Sequence, residues 1–261
     1  MSGTDAVVKY ECRDSVAWIS LDDPSGANGM NTAFVAQLRE AVMRARDDNA
    51  AVVVLRTTGR FFSVGGDLAA FGSAEDMSAY VDDLADGLHR VVSELTRLDA
   101  IVVSVVQGMA AGAGFPLAAA ADIVLASRSA RFTLGYTKVG LSVDGGTSLL
   151  SSTIGLHRVL RLALLNDVLS AEEAHAAGLV AQVHDDEELE SAVNDVVARL
   201  LAGSRTAQAA TKHLIRGVAA PAPETAMRKE ALSIRAQAAG VDGPEGVRAF
   251  LEKRPPRFSG R

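Results

Sequence analysis

Between Asp99 and Asp122 the chain reads AIVVSVVQGMAAGAGFPLAAAA, residues 100–121, with no charged side chain. The run is long enough to span a bilayer, but Ser104, Gln107, Gly108, Gly112, Gly114 and Pro116 interrupt it. Its opening is β-branched and its close alanine-rich, so it reads as a buried strand, a glycine turn and a buried helix. Ile123–Ala126 follows as a further short strand. Upstream, Val52–Thr57 is an apolar run of the kind that a strand buried on both faces requires. After it, Phe62-Ser63-Val64-Gly65-Gly66-Asp67 forms a glycine loop leading into a polar helical stretch that ends near Arg97. Strand, loop and helix alternate, which predicts an α/β core with parallel strands.

Toward the N-terminus, Val7–Tyr10 and Val16–Leu21 read as a hairpin. Asp23-Pro24-Ser25-Gly26 makes a turn, and Thr32 caps an amphipathic helix running to about Asp48. Beyond about residue 147 the pattern turns helical. Ser170-Ala171-Glu172-Glu173 matches a capping box, and Gly178 stops that helix. Val180–Val183 reads as a short strand, and the acidic run Asp185–Glu188 as a solvated helix start. The tail reads as helices over 205–217, 224–239 and 244–253, with Pro244 at a helix beginning. The expected division is an α/β core over residues 1–199 and a helical region over 200–261. Such a tail has apolar faces to bury, either on its own core or on a neighbouring subunit.

Composition narrows the function classes. The 261 residues are 48% hydrophobic and 22% charged, and surface scaling for this size buries about 70% of the unfolded chain's area. That core needs no disulfide or metal staple. Cys12 is the sole cysteine, so a Cys-ligated zinc or iron–sulfur site is excluded and a reducing compartment fits. A net charge of −6 and 5% aromatic residues argue against a nucleic-acid partner. The first fifteen residues hold no apolar stretch of signal-peptide length. The reading is a soluble cytoplasmic protein with no membrane partner.

Two glycine loops stand out as candidate sites, 63–68 and 108–114. Each follows a strand and precedes a helix. Neither contains Gly-Lys-Ser/Thr, and neither has the spacing of a dinucleotide fingerprint, so nucleotide hydrolysis and hydride transfer fall away. Backbone N–H groups at helix starts are suited to a developing oxyanion. The same glycines would also allow tight strand–helix packing, and both readings stand at this level.

Phe62-Ser-Val-Gly-Gly-Asp-Leu68, followed by Val106-Gln-Gly-Met-Ala-Ala-Gly-Ala-Gly114, resembles the crotonase (enoyl-CoA hydratase/isomerase) superfamily. Asp23-Pro24 through Asn28-Gly29-Met30-Asn31, Leu169–Ala174 with Gly178-Leu179-Val180, and Gly246–Arg254 extend the resemblance over nearly the whole chain. The resemblance implies a ββα spiral core, a C-terminal helical trimerisation region giving homotrimers or dimers of trimers, and acyl-CoA thioester substrates. Coenzyme A is then part of the substrate, and no separate cofactor is expected. The oxyanion amides carry over to Gly66 and Ala113. Ala27, Gly29, Met30, Ser63, Val64, Gly65, Asp67, Leu68 and Gly112 would hold the thioester and its CoA moiety largely through backbone. Phe250 and Lys253 match terminal-helix positions near CoA; Lys253 suits a phosphate and equally suits a solvated basic helix end.

Hydratases of this family use two glutamates, which fall at Pro116 and Tyr136 here. Neither residue can do carboxylate acid–base work, which argues against water addition. Asp144, in Val143-Asp144-Gly145-Gly146, resembles instead the proton-shuttling acid of dienoyl-CoA and epoxide-type isomerases and the nucleophile of the dehalogenase branch. Asp-Gly-Gly is also a common turn sequence in which the aspartate caps. His89 lies where the dehalogenase branch carries its base, and alternatively is a packing residue of an amphipathic helix. Tyr136 is expected to line the acyl pocket or to donate a hydrogen bond. The remaining histidines show no ligand spacing, and no metal site is expected. The favoured expectation is an isomerase working through an enolate and a lone aspartate. Hydration, displacement or hydrolysis through Asp144, and non-catalytic acyl-CoA binding are the rivals.

Overall fold

A computed structural model describes residues 6–260. Residues 1–5 and 261, the outermost positions of the two expected regions and the start of the signal-peptide reading, lie outside the described residues. Val8–Arg13 (β1) and Val16–Leu21 (β2) form the hairpin, antiparallel, with the first strand running on to Arg13. Thr32–Asp47 (α1) is capped one position earlier than expected, by Asn31, whose side chain accepts the Phe34 N–H. Val52–Thr57 (β3) has the expected bounds. The stretch ending at Arg97 is two helices, Leu68–Ser73 (α2) and Met77–Arg97 (α3). Aspartates start both: Asp67 accepts the N–H groups of Ala69 and Ala70, and Asp76 that of Ala79, each restarting a helix at its own cap.

The decisive charge-free run folds as read, with one addition. Ile101–Val106 (β4) is followed by a three-residue strand, Met109–Ala111 (β5), before Gly114–Ala119 (α4) and Ile123–Ser127 (β6). Arg131–Thr133 (β7), Leu150–Ile154 (α5), Leu156–Leu165 (α6), Val168–Ser170 (β8) and Ala171–Ala176 (α7) come next. The capping box on α7 is present as expected, Ser170 and Glu173 exchanging side-chain-to-backbone bonds. Gln182–His184 (β9) starts two residues later than predicted, and Leu189–Leu201 (α8) begins just past the acidic run. The tail is Arg205–Ala219 (α9), Pro223–Ala239 (α10) and Asp242–Leu251 (α11).

The main sheet has the order β1-β2-β3-β4-β6-β9, parallel except for the terminal hairpin. Alternation along β3 shows why a continuous apolar run is needed. Val53 and Leu55 join the core shared with α1 and α3, whereas Val52 and Val54 join Trp18 and the α8 residues Val193 and Val197 on the other face. Each such fully buried side chain contributes about 1.5–3 kcal/mol. The second sheet, β5-β7-β8, is absent from the sequence reading. Strands of three residues are too short to show a period of two.

Part of the tail is buried on the chain's own core. α10 packs along α3, and α11 against α2 and the 3₁₀ turn Tyr136–Val139. On α9 the buried Lys212 Nζ donates to the carbonyls of Leu95 and Ala100 and lies 2.9 Å from Asp122 Oδ2. All three ammonium donors are thus matched.

Candidate active site

Asn28 positions the first loop. Fully buried and at φ +50°, it donates to Thr57 Oγ1, Phe61 O and Phe62 O, while its Oδ1 accepts the Asp23 N–H. The 62–67 segment is then stitched to its neighbours by backbone bonds. Phe62 N–H donates to Gln107 O, Ser63 N–H to Met109 O, Ala111 N–H to Ser63 O, Met30 N–H to Gly65 O and Asp67 N–H to Met30 O. A short parallel ladder thus carries the two glycine loops side by side. At Gly65, with φ +86°, an added Cβ would stand 2.8 Å from Ala111 O and 3.1 Å from Ala113 N, so that only glycine permits this approach.

Among the described residues, the N–H groups of Gly66 and Ala113 donate to no protein acceptor. Ala113 is buried and opens α4; Gly66 is half-buried. Two donors left free on adjacent loops are candidates for receiving a developing oxyanion. The side chains of Met30 and Ser63 face inward, which is compatible with contacts made through their backbone. Both are buried, and Ser63 Oγ donates to Asn28 O and accepts from Gly65 N–H. They shape the loop from inside.

The 144–146 turn rests on the second loop: a Cβ on Gly145 would be 3.3 Å from Ala113 Cβ and from Pro116 Cγ. Asp144 therefore neighbours the candidate oxyanion amide. It does not cap the 3₁₀ turn that follows, Thr147–Leu149, which is entered from Gly146 with no side-chain cap bond. Its Oδ1 lies 2.9 Å from His89 Nε2, but off the ring N–H direction, so both buried atoms lack an aligned hydrogen bond. Buried polar atoms left unpaired are uncommon and gather at functional sites. The Asp144 carbonyl, in contrast, is clamped by the hydroxyls of Tyr136 (3.0 Å) and Thr147 (2.7 Å). Tyr136 thus donates a hydrogen bond, as one of its two expected parts had it, and the acceptor is the Asp144 carbonyl.

The aspartate is not a lone acid. Glu230 of α10, 5% exposed, accepts the Gly146 N–H at Oε2 and the Ser148 N–H at Oε1, both at 2.7 Å. Ligand atoms of His89, Asp144 and Glu230 all lie within 4.8 Å of one another. That is a geometry in which a cation could be held, although both Glu230 oxygens already take backbone donors. Burial opposes charge on His89, but its contact with Asp144 and the charges of Glu230 and Asp86 outweigh it and hold its pKa above the ordinary value. Burial raises the Glu230 carboxyl, against the pull of the two backbone donors. Burial and the charges of Asp144 and Glu230 push the Tyr136 phenol well up.

Glu230 escaped the sequence reading because it sits far from both loops along the chain. A signal existed: Met227, Ala231, Ile234 and Ala238 form the buried stripe of α10, and Glu230 stands on that stripe as its charged member.

A groove of about 510 Å³ leads away from Gly66, lined by Ala27, Gly29, Val64, Asp67, Leu68 and Phe250, among others. These expected CoA contacts are thus gathered on one surface. Gly112 is held behind it by its N–H to Thr133 O. Lys253 is exposed at the end of α11, at φ +54°, beyond the groove lining. No helix among the described residues is long and apolar enough to cross a membrane.

Comparison with known proteins identifies the class. The Enoyl-CoA hydratase/isomerase family profile matches residues 11–261, and the chain belongs to that family. It is similar to a probable enoyl-CoA hydratase of Rhodobacter capsulatus, 37% identical over 259 residues that span 97% of this chain and 98% of that one. It is also similar to the 1,2-epoxyphenylacetyl-CoA isomerase of Escherichia coli, 36% identical over 94% of this chain and 95% of that one. Among solved structures, an enoyl-CoA hydratase from Mycobacterium avium subsp. paratuberculosis superposes with a TM-score of 0.89 at 33% identity, covering 97% and 99% of the two chains.

Proposed function

We propose that the protein is an acyl-CoA isomerase that moves a double bond through a thioester enolate. The observation carrying this reading is the buried Asp144 on a turn that rests against Ala113. Its carboxylate takes the α proton, the electron pair moves onto the thioester oxygen, and the N–H groups of Gly66 and Ala113 stabilise that oxygen. Collapse of the enolate returns the proton to the γ carbon, leaving the enzyme unchanged. Mutagenesis of a single oxyanion donor elsewhere costs about 2.7–4 kcal/mol of transition-state stabilisation. Two donors in a buried site make a weakly acidic C–H accessible to a carboxylate.

Hydration is the second reading. It is favoured by His89, whose position 2.9 Å from Asp144 would let the pair orient water. Pro116 and Tyr136 argue against it, because neither side chain supplies the carboxylates of the hydratase reaction. Incubation with trans-3-hexenoyl-CoA and, separately, crotonyl-CoA separates the two. Isomerisation predicts the rise of a conjugated enoyl chromophore from the first; hydration predicts its loss from the second.

The same reading makes the chain a subunit of a trimer or a dimer of trimers. Support comes from apolar faces left uncovered by its own core: Leu156, Leu160 and Leu164 along α6, and Leu214, Ile215 and Val218 on α9. Rows of this kind mark association surfaces. Sedimentation as a monomer at micromolar concentration would count against it.

A further inference from the structure

We infer that Glu230 is a positioning residue of the active site: the carboxylate from α10 fixes the turn bearing Asp144 and shares the charge environment of His89, so that the C-terminal helical region completes the site. The inference rests on the isomerase reading for its kinetic consequence, and on geometry alone for its structural one. The two 2.7 Å bonds from Gly146 and Ser148 are charge-assisted, and such bonds are about twice as strong as neutral ones. They straddle Thr147, whose hydroxyl holds the Asp144 carbonyl. Glu230 thus grips, at Gly146 and Ser148, the same turn that rests on Ala113 through Gly145.

A buried carboxylate is costly to maintain, and an apolar residue would continue the stripe of Met227, Ala231 and Ile234 at lower cost. What the charge adds is a turn with fixed amide directions and a second negative group beside His89. The groups facing His89 are Asp144 on the turn, Glu230 on α10 and Asp86 on its own helix, with the Tyr136 hydroxyl bound to the turn nearby.

Glu230→Gln tests this, with Glu224→Gln as control. Glu224 lies on the same helix but is partly exposed and bonds Ser93 and Arg97, so its loss perturbs helix docking without touching the turn. Glu230→Gln presents an amide N–H₂ to one of the two backbone donors. The expected result is a fall in kcat for trans-3-hexenoyl-CoA isomerisation on the order of 100-fold, the cost of a misplacement near 1 Å, with KM within about threefold. Glu224→Gln stays near wild type. Without any substrate, Glu230→Gln lowers the His89 pKa read by ring NMR and speeds amide exchange at Gly146 and Ser148. Glu230→Asp, which keeps the charge but cannot span both amides, restores the His89 titration and not kcat. Wild-type kcat together with an unmoved His89 titration in Glu230→Gln overturns the inference. An inert wild type whose variant still shows the NMR and exchange changes overturns the isomerase reading instead.

Discussion

His89 Nε2 and Asp144 Oδ1 stand 2.9 Å apart in the interior, each short of an aligned hydrogen bond. The imidazole pKa is raised in the folded protein, because burial is outweighed by Asp144 and the further negative groups. A group whose folded pKa is raised adds stability that is fully present below its unfolded value, about 6.5. That contribution is lost as pH rises through the folded value. Urea unfolding between pH 5.5 and 9 is expected to show wild type losing stability relative to His89→Gln as pH rises. Glu230, also raised, acts in the same direction but from the lower carboxylate range. A constant difference between the two proteins across the range would contradict the ion pair.

Gly65→Ala is expected to disable the site through the backbone. The new Cβ would meet Ala111 O at 2.8 Å at a φ of +86°, and either loop must shift. Positive-φ strain of this kind costs about 1–3 kcal/mol. The expected outcome is a lower unfolding midpoint and loss of most turnover. Wild-type kcat in this variant would show that the contact between the loops does not set the donors.

Lys212→Met should destabilise without altering the site's chemistry. It leaves two buried carbonyls and part of Asp122 without their partner, and breaking a buried pair in this way costs about 3–5 kcal/mol. Denaturant titration measures it. A change below about 1 kcal/mol would mean that the α9 anchor is carried by Arg216, which also binds Asp122 and Ala120.

The fold was legible where apolar runs were long. Val52–Thr57 and Val16–Leu21 have the bounds their patterns predicted, because each opens on four successive apolar residues and meets a polar one, Arg56 or Ser20, only near its end. The second sheet was not legible, since β5, β7 and β8 each have three residues and owe their pairing to the loops around them. At the site, local sequence marks the two glycine loops, whose glycines allow close backbone approach, whereas the roles expected of Gly66, Ala113 and Asp144 rest on the family resemblance, Asp-Gly-Gly alone reading equally as a turn. Asn28 and Glu230 could not be given roles from local pattern. Their partners lie about thirty and eighty residues away, and only the folded chain shows that Glu230's charge points inward. The lone acid expected from sequence is therefore one of a buried group of three.

In the proposed mechanism Asp144 removes an α proton, and the N–H groups of Gly66 and Ala113 stabilise the negative charge left on the thioester oxygen. The most direct measurement is incorporation of deuterium at the α carbon of trans-3-hexenoyl-CoA in D₂O, followed by mass spectrometry. Wild type is expected to exchange that proton, and Asp144→Asn to lose exchange by at least a thousandfold while binding the thioester with near-unchanged affinity. Exchange by Asp144→Asn at the wild-type rate would contradict the claim.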